Sequence, residues 1–313
     1  MNIACIGECM IEIATLPGHL GQVQVGFGGD TLNTAIYLSR LFANTDHKVH
    51  YFTVLGDDPY ADSMLTAWIA EGIDCRDVEQ ELGRETGLYT INVDKDGERS
   101  FHYWRSQAPA RELFGGATGL RKIAKLATFD AIYFSGISLA ILHEESRDRL
   151  LELAEKMKDA GRHVIYDTNF RERLWAGQDA QEINTRALKA STLALPSDKD
   201  LCNIFNQSEN EWKSFLEAYS IPNIILKKGG APLDIFQNGK WQSLSMEKAT
   251  AIVDTTAAGD SFNAGYIAAR SRGDDPIDAV KQGHKLACTV IGHSGAIIPL
   301  AAMPLNANAS ESI

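Results

Sequence analysis

Short apolar runs bounded by turn residues alternate along this chain with longer segments of helical period. Ile3–Ile6 reads as a buried strand. Thr31–Phe42, with Leu32, Ala35, Ile36 and Leu38 at helical spacing, follows Gly26-Phe27-Gly28-Gly29-Asp30. Val49–Leu55 predicts a strand, and Pro59–Glu71 a helix closed by Gly72. The rhythm continues through Ala131–Phe134 (strand), Glu144–Ala160 (helix, Gly161 behind it), His163–Asp167 (strand) and Asp179–Ala190 (helix). Leu193–Leu195, Ile224–Lys227 and Leu233–Gln237 predict later strands, and Ala258–Arg270 and Ile277–Ile291 the closing helices. Strands alternating with helices predict an α/β fold with a mostly parallel sheet covered on both faces. No internal repeat, linker or low-complexity tract divides residues 1–313, so one domain is expected, with a loose tail after Pro304.

One segment departs from this rhythm. Tyr89–Val93 and Glu98–Arg105 are β-rich runs around Asp94-Lys95-Asp96-Gly97, a hairpin signal. A two-residue loop would set Tyr89 beside Trp104. A three-residue loop, Lys95-Asp96-Gly97 with Gly97 left-handed, pairs Tyr89 with Tyr103 and puts Arg105 on the same face. The second register is preferred, because it gathers two phenols and a guanidinium. Such an insert predicts a small flap over the sheet's carboxyl edge, a lid.

Composition narrows the function classes. With 44% hydrophobic and 23% charged residues the chain is globular, not disordered. Thirty Lys+Arg against 41 Asp+Glu leave a net charge of −11, which argues against nucleic-acid binding but allows a local pocket for a small anion. No apolar run reaches the ~18–20 residues of a membrane helix, and the Met1-Asn2-Ile3-Ala4 start lacks a basic region before its apolar run. Neither a membrane anchor nor a signal peptide is therefore expected. The five scattered cysteines (Cys5, Cys9, Cys75, Cys202, Cys288) show no disulfide or zinc spacing, and a reducing cytoplasm is the expected compartment.

The strongest chemical signal is Asp254-Thr255-Thr256-Ala257-Ala258-Gly259-Asp260-Ser261-Phe262-Asn263-Ala264-Gly265. Small residues let backbone N–H groups converge where a helix begins with unpaired donors, a site that attracts phosphate. Asp260 in that first turn reads either as a cap or as a base beside the anion, and the small-residue loop around it favours the base. There is no G-x-x-x-x-G-K-[ST] loop and no protein-kinase H-R-D or D-F-G set.

This segment resembles the C-terminal motif of the ribokinase-like (PfkB) carbohydrate kinases. Gly28-Gly29-Asp30-Thr31-Leu32-Asn33-Thr34-Ala35 is similar to the family's N-terminal Gly-Gly motif. The Gly7-Glu8 strand and Gly56-Asp57-Asp58-Pro59-Tyr60-Ala61 match its order and spacing, so the motifs run from about residue 3 to residue 299. The resemblance implies a Rossmann-like core, a small β-sheet lid from inserted segments around 11–25 and 88–106, and transfer of the ATP γ-phosphoryl to a sugar hydroxyl. Tyr103-Trp104-Arg105 and Asp167-Thr168-Asn169-Phe170-Arg171 are most similar to the family's 2-dehydro-3-deoxygluconate kinases. That implies phosphorylation of this keto sugar acid at its C6 hydroxyl, giving 2-dehydro-3-deoxy-6-phospho-D-gluconate. A kinase of a neutral sugar such as fructose or ribose is the nearest alternative. A non-catalytic sugar-acid or nucleotide sensor on the same scaffold is the alternative from another class.

The implied roles follow. Asp260 takes the alcohol proton, and the Ala257, Ala258 and Gly259 amides form an anion hole. The helix dipole is expected to keep Asp260 ionised, a weak base that a loose transition state tolerates. Gly28 and Gly29 clear side chains where a sugar approaches the backbone, and Asp30 and Asn33 bind its hydroxyls. Arg105 and Arg171 hold the carboxylate, which a guanidinium matches with two bonds, while Tyr89 and Tyr103 take hydroxyl or keto oxygens. On the nucleotide side stand Lys227, Lys228, Gly229 and Gly230, Asn169 and Arg171 toward the triphosphate, Gly259, Ser197, and His284 beside the adenine. The family's Asn-x-x-Glu is replaced by Ser197-Asp198-Lys199-Asp200. Mg2+ is expected on chemical grounds, with no ligand assigned. Some relatives also carry a monovalent-cation (K+) loop at the positions of Asp254 and Thr256, and a homodimer through the lid is expected.

Overall fold

The computed structural model describes residues 1–15, 22–93, 99–206, 211–229 and 232–304. Its strands are β1 (Asn2–Ile6), β2 (Met10–Thr15), β3 (Val23–Gly28), β4 (Lys48–Phe52), β5 (Val54–Gly56), β6 (Glu79–Glu81), β7 (Leu88–Val93), β8 (Arg99–Trp104), β9 (Ala131–Ser135), β10 (His163–Asp167), β11 (Leu193–Ala194), β12 (Asn223–Leu226), β13 (Leu233–Gln237) and β14 (Lys240–Leu244). Its helices are α1 (Asp30–Leu41), α2 (Pro59–Ala70), α3 (Gly116–Leu126), α4 (Gly136–Ile141), α5 (Glu144–Asp159), α6 (Ala180–Ala190), α7 (Asp198–Phe205), α8 (Trp212–Glu217), α9 (Ala258–Ser271) and α10 (Pro276–Ile291).

An eight-stranded sheet of order β14-β13-β12-β11-β10-β9-β1-β4 forms the centre. It is parallel from β4 to β12, and β13 and β14 join antiparallel at one edge. The strand sequences read as continuous apolar runs because both faces are covered. Side chains alternate between two cores. Ile3, Cys5, Val49, Tyr51, Ala131, Tyr133, Ile165 and Ile225 pack with α1, α2, α9 and α10. Ala4, Ile6, Phe52, Ile132, Phe134, Val164, Tyr166, Ile224 and Leu226 pack with residues of α3 to α8.

Val49–Leu55, expected as one strand, is two. β4 pairs with β1, the chain breaks at Thr53, and β5 pairs with β6 in a separate two-stranded sheet. α3 was not legible. Glycines at its start weaken the helical signal, and Gly119 is required by contact, since a methyl there would lie 2.0 Å from the Phe114 carbonyl. The Gly56–Ala61 segment opens α2. Pro59 occupies the first turn, and Asp58 caps the helix by accepting from the Tyr60 and Ala61 amides.

A second sheet, order β3-β2-β7-β8, is built from segments following β1 and preceding α3. Its register pairs Tyr89 with Tyr103 and Leu88 with Trp104, the pairing of the three-residue loop. The turn expected at Lys95-Asp96-Gly97 lies outside the described residues, as does Gly230. Among the described residues no helix is long and apolar enough to cross a membrane.

Candidate active site

The parallel strands deliver their carboxyl ends to one edge, where ligands of open α/β sheets collect. Glu8 follows β1, Asp167 ends β10, Lys227 follows β12, and the first turns of α1 and α9 bring Asp30 and Asp260.

Helix α9 begins abruptly. Ala257 is left-handed (φ 59°), and the first i→i−4 bond runs from Ser261 N–H to the Ala257 carbonyl at 2.9 Å. The amides of Gly259 and Asp260 therefore precede the ladder and point out of the helix start. Ala258 does not belong in the expected anion hole of the resting protein: its N–H turns back to the Thr255 carbonyl, 3.3 Å away. The approach loop is fixed by Asp254, whose Oδ1 accepts from the Thr256 amide (3.0 Å) and hydroxyl (2.7 Å) and whose Oδ2 accepts from the Gly295 amide (2.8 Å). Deeper in the helix, α9 presses on α10 so closely that a methyl on Gly265 would lie 2.8 Å from the Gly283 Cα.

Asp260 is buried, and its Oδ2 accepts from Asn33 Nδ2 at 2.8 Å. The expectation that the helix dipole keeps it ionised is overturned. Burial first, then the charge of Asp30, push its carboxyl up to about 8, against the Asn33 hydrogen bond and Lys227. The Asp30 carboxyl is also raised, again first by burial. Burial thus raises both acids, and the charge of Asp30 adds to the rise at Asp260.

Lys227 lies below the helix start. Its Nζ is 3.1 Å from Asp167 Oδ1 and 3.3 Å from Asn263 Oδ1, and a methyl on Gly259 would sit 3.9 Å from it. Asn263 Nδ2 donates to Asp167 Oδ2 at 2.7 Å and to the Tyr133 hydroxyl at 3.1 Å. Asp167 and Asn263 were quoted within motifs but given no role. Only the spatial convergence of β10, β12 and α9 shows what they hold.

Several of the expected site residues have partners within the protein. Gly28 and Gly29 are needed for the protein's own packing, because a methyl on Gly28 would strike the Tyr89 hydroxyl and one on Gly29 the Glu8 carbonyl. Asn33 orients Asp260 rather than standing free for a sugar, though its Oδ1 is buried and unpartnered. Asn169, expected to face the triphosphate, is left-handed (φ 26°) and donates to Asp30 Oδ2 at 2.7 Å, which ties it to the other end of the site. Ser197 caps α7 by accepting from the Asp200 amide at 3.0 Å. Asp200 is raised by burial and takes a hydrogen bond from Thr168 at 2.8 Å.

Lys228 is bound to Asp234 (2.5 Å), which also holds Lys213 at 3.3 Å, so it braces the β13 edge. Gly229 is left-handed, as a turn there requires. His284 Nε2 lies 2.6 Å from the Glu247 carbonyl and 3.3 Å from Cys288 Sγ, a local tie.

At the small sheet, the Tyr89 and Tyr103 rings stack at 5.7 Å, and the Tyr89 hydroxyl donates to Glu12. Arg105 pairs with the buried Glu8 and lies over the Tyr103 ring. Arg171 is exposed, with Nη1 2.9 Å from the Phe170 carbonyl. The two guanidiniums thus keep different company. Glu8, quoted within the Gly7-Glu8 segment but given no role there, is a buried charge at this end.

Comparison with known proteins bears on this edge as a whole. Residues 1–303 match the model of the pfkB family carbohydrate kinases. The chain is 39% identical over 311 residues to a 2-dehydro-3-deoxygluconokinase of Escherichia coli K12, covering 97% of this chain and 99% of the relative. The solved 2-dehydro-3-deoxygluconokinase of Thermotoga maritima superposes with a TM-score of 0.80 at 18% identity, covering 95% of this chain and 94% of that one. The aminoimidazole riboside kinase of Salmonella enterica, solved with aminoimidazole riboside and an ATP analogue, gives 0.80 at 19%, covering 97% and 96%. The family model and the relatives span nearly the whole chain, and the chain belongs to the pfkB family of carbohydrate kinases.

Proposed function

We propose that this kinase transfers the γ-phosphoryl of ATP to the C6 hydroxyl of 2-dehydro-3-deoxy-D-gluconate. The observation that carries the reading is Asp260, buried at the first turn of α9, gripped by Asn33 and raised to about 8. An acceptor alcohol must lose a proton as it attacks, and a carboxylate within reach of an anion-binding helix start takes it. Asn33 aims one carboxylate oxygen and leaves the other for the alcohol. The Gly259 and Asp260 amides receive the phosphoryl oxygens, and Lys227, fixed by Asp167 and Asn263, adds positive charge beneath them. Arg105 and Arg171 take the substrate carboxylate, with Tyr89 and Tyr103 walling the sugar under the small sheet. The chain works as one α/β unit with that sheet as its lid. Its five free cysteines suit a reducing compartment.

Among the described residues no group of three or more His, Cys, Asp or Glu side chains forms a metal cage. Mg2+ carried by the nucleotide would be held by phosphate and water oxygens, with Asp200 and Asp167 as the carboxylates at this end. Bound there, the ion would supply positive charge against the β- and γ-phosphates. The test is ADP release with the keto acid, fructose and ribose as acceptors. Turnover with the keto acid at least a hundredfold above the neutral sugars, on the order expected when a charged pair is lost, is the expected result. Preference for fructose or ribose would reassign the substrate, and binding without ADP release would mark a sensor.

A further inference from the structure

Glu8 takes no part in the chemistry above, yet its side chain is 2% exposed and paired with that of Arg105, itself 10% exposed. The pair is half made. Glu8 meets Arg105 through Oε2 and Nη2, while Glu8 Oε1 and Arg105 Nε are both buried without a hydrogen-bond partner. Nε–H and Nη2–H form one edge of the guanidinium, the edge that a carboxylate grips with both oxygens. Glu8 fills one position of that edge and leaves the other empty. Gly29 and Gly87 pack against this residue. Its carbonyl oxygen sits where a methyl on Gly29 would go, and Oε1 lies 2.9 Å from where one on Gly87 would go.

We propose that Glu8 is a resident stand-in for the substrate carboxylate, holding Arg105 in the empty site and yielding it to the two-oxygen grip of the incoming acid. This rests on the reading of Arg105 as an acid-binding residue. A buried guanidinium with no counter-ion is costly, so the empty site needs a partner there. A partner that fitted fully would shut the substrate out. The half-made pair does the first without the second. A neutral sugar cannot displace Glu8 and gains nothing from Arg105, so the exchange also selects for acids. Once displaced, Glu8 faces a second carboxylate within the fields of Asp30 and Arg111, with Glu12 on β2 held by Tyr89. Burial already raises its carboxyl against the pull of Arg105 and Arg111. The released Glu8 therefore takes a proton from solvent, and acid binding carries proton uptake.

Glu8→Gln keeps the hydrogen bond and removes the competing charge. Its KM for the keto acid is expected to fall roughly three- to tenfold, because the competent state of Arg105 is no longer held back, with kcat within about twofold. A purely structural role would lower the melting temperature without lowering KM, so a KM at or above the wild-type value overturns the proposal. A second measurement does not depend on that variant folding. Keto acid is titrated calorimetrically, without ATP, into the Asp260→Asn protein, whose base is silent, in two buffers of different ionisation enthalpy. A buffer-dependent heat corresponding to proton uptake near pH 7 is expected, and buffer-independent heat overturns the proposal. A wild-type enzyme inactive on the keto acid would remove the functional reading and this inference together. An active one with an unimproved Glu8→Gln removes the inference alone.

Discussion

The two ends of the site are built on opposite plans. At the start of α9, Asp260, Asn33, Asp167, Lys227 and Asn263 come from three elements (α1, β10 and α9) and from the residue after β12, and they meet in bonds of 2.7 to 3.3 Å. At the small sheet, Tyr103 is 48% and Trp104 61% exposed and Arg105 makes half of its possible grip, while Arg171, beyond the end of β10, is exposed. The difference follows the chemistry. Phosphoryl transfer needs charges already in place as the transition state forms, so that end is assembled in advance. Recognition of the acid gains selectivity when the substrate itself completes the contacts.

The sharpest way to break this comparison is Asp260→Asn. Loss of a positioned base is expected to lower kcat by on the order of 10²–10⁴-fold and to leave the KM for the keto acid within about threefold. The same change carries a stability signature. A carboxyl raised in the folded state stabilises fully below its unfolded value near 4, and that stability is lost as pH rises through about 8. Asparagine escapes this loss, so the variant should melt higher than the wild type at pH 8 and no higher at pH 4. A kcat within tenfold of wild type would show that the α9 end is not the chemical end.

Next come the two arginines. Arg105→Ala removes a buried guanidinium and strands Glu8, so the KM for the keto acid should rise about a hundredfold, with a lower melting temperature. Arg171 is exposed and bonded only locally, so Arg171→Ala should cost about tenfold or less with no change in melting. The reverse order would place the acid at the outer arginine and leave the Glu8–Arg105 pair as a brace for the small sheet.

A third effect separates the ends by pH. Because the Asp260 carboxyl titrates near 8, kcat/KM should rise about tenfold per pH unit below that point and level off above it. The Asp260→Asn residual activity should lack this limb. A kcat/KM flat from about pH 6 to 9 in the wild type would mean that the Asp260 carboxyl is already ionised in the free enzyme.

What was legible in the chain divides along the same line. The strands of the parallel sheet and the helices α1, α2, α5, α6, α9 and α10 announce themselves by period and caps, because burial on both faces leaves little freedom in composition. α3 and the break at Thr53 did not, since glycine spacing and a change of sheet are decided by tertiary contact. Asp260, Asn33 and Lys227 were named from motifs. Their arrangement was not, because Asn33 and Asp260 lie 227 positions apart and Lys227 and Asp167 lie 60 apart. The ionisation of Asp260 was misjudged for the same reason: the local dipole is visible in sequence, whereas burial beside Asp30 is not. Asn169 shows the converse, a motif residue whose partner turned out to be the other motif.

The smallest expected effect tests how far the nucleotide end extends. If His284 stacked on or bonded adenine, His284→Ala would raise the KM for ATP several-fold. Its Nε2 is instead held by the Glu247 carbonyl at 2.6 Å, and Cys288 Sγ approaches the same nitrogen at 3.3 Å. A ring tied on that side pins the loop carrying Glu247 to α10. Losing one partly exposed hydrogen bond costs about 1 kcal/mol, which in a chain of this size lowers the melting temperature by roughly 2 °C. His284→Ala should therefore melt slightly earlier while its KM for ATP stays within about twofold of wild type. A larger rise in that KM with no change in melting would extend the preassembled end out to the adenine, and acid recognition would then be the one part of the site left for a ligand to complete.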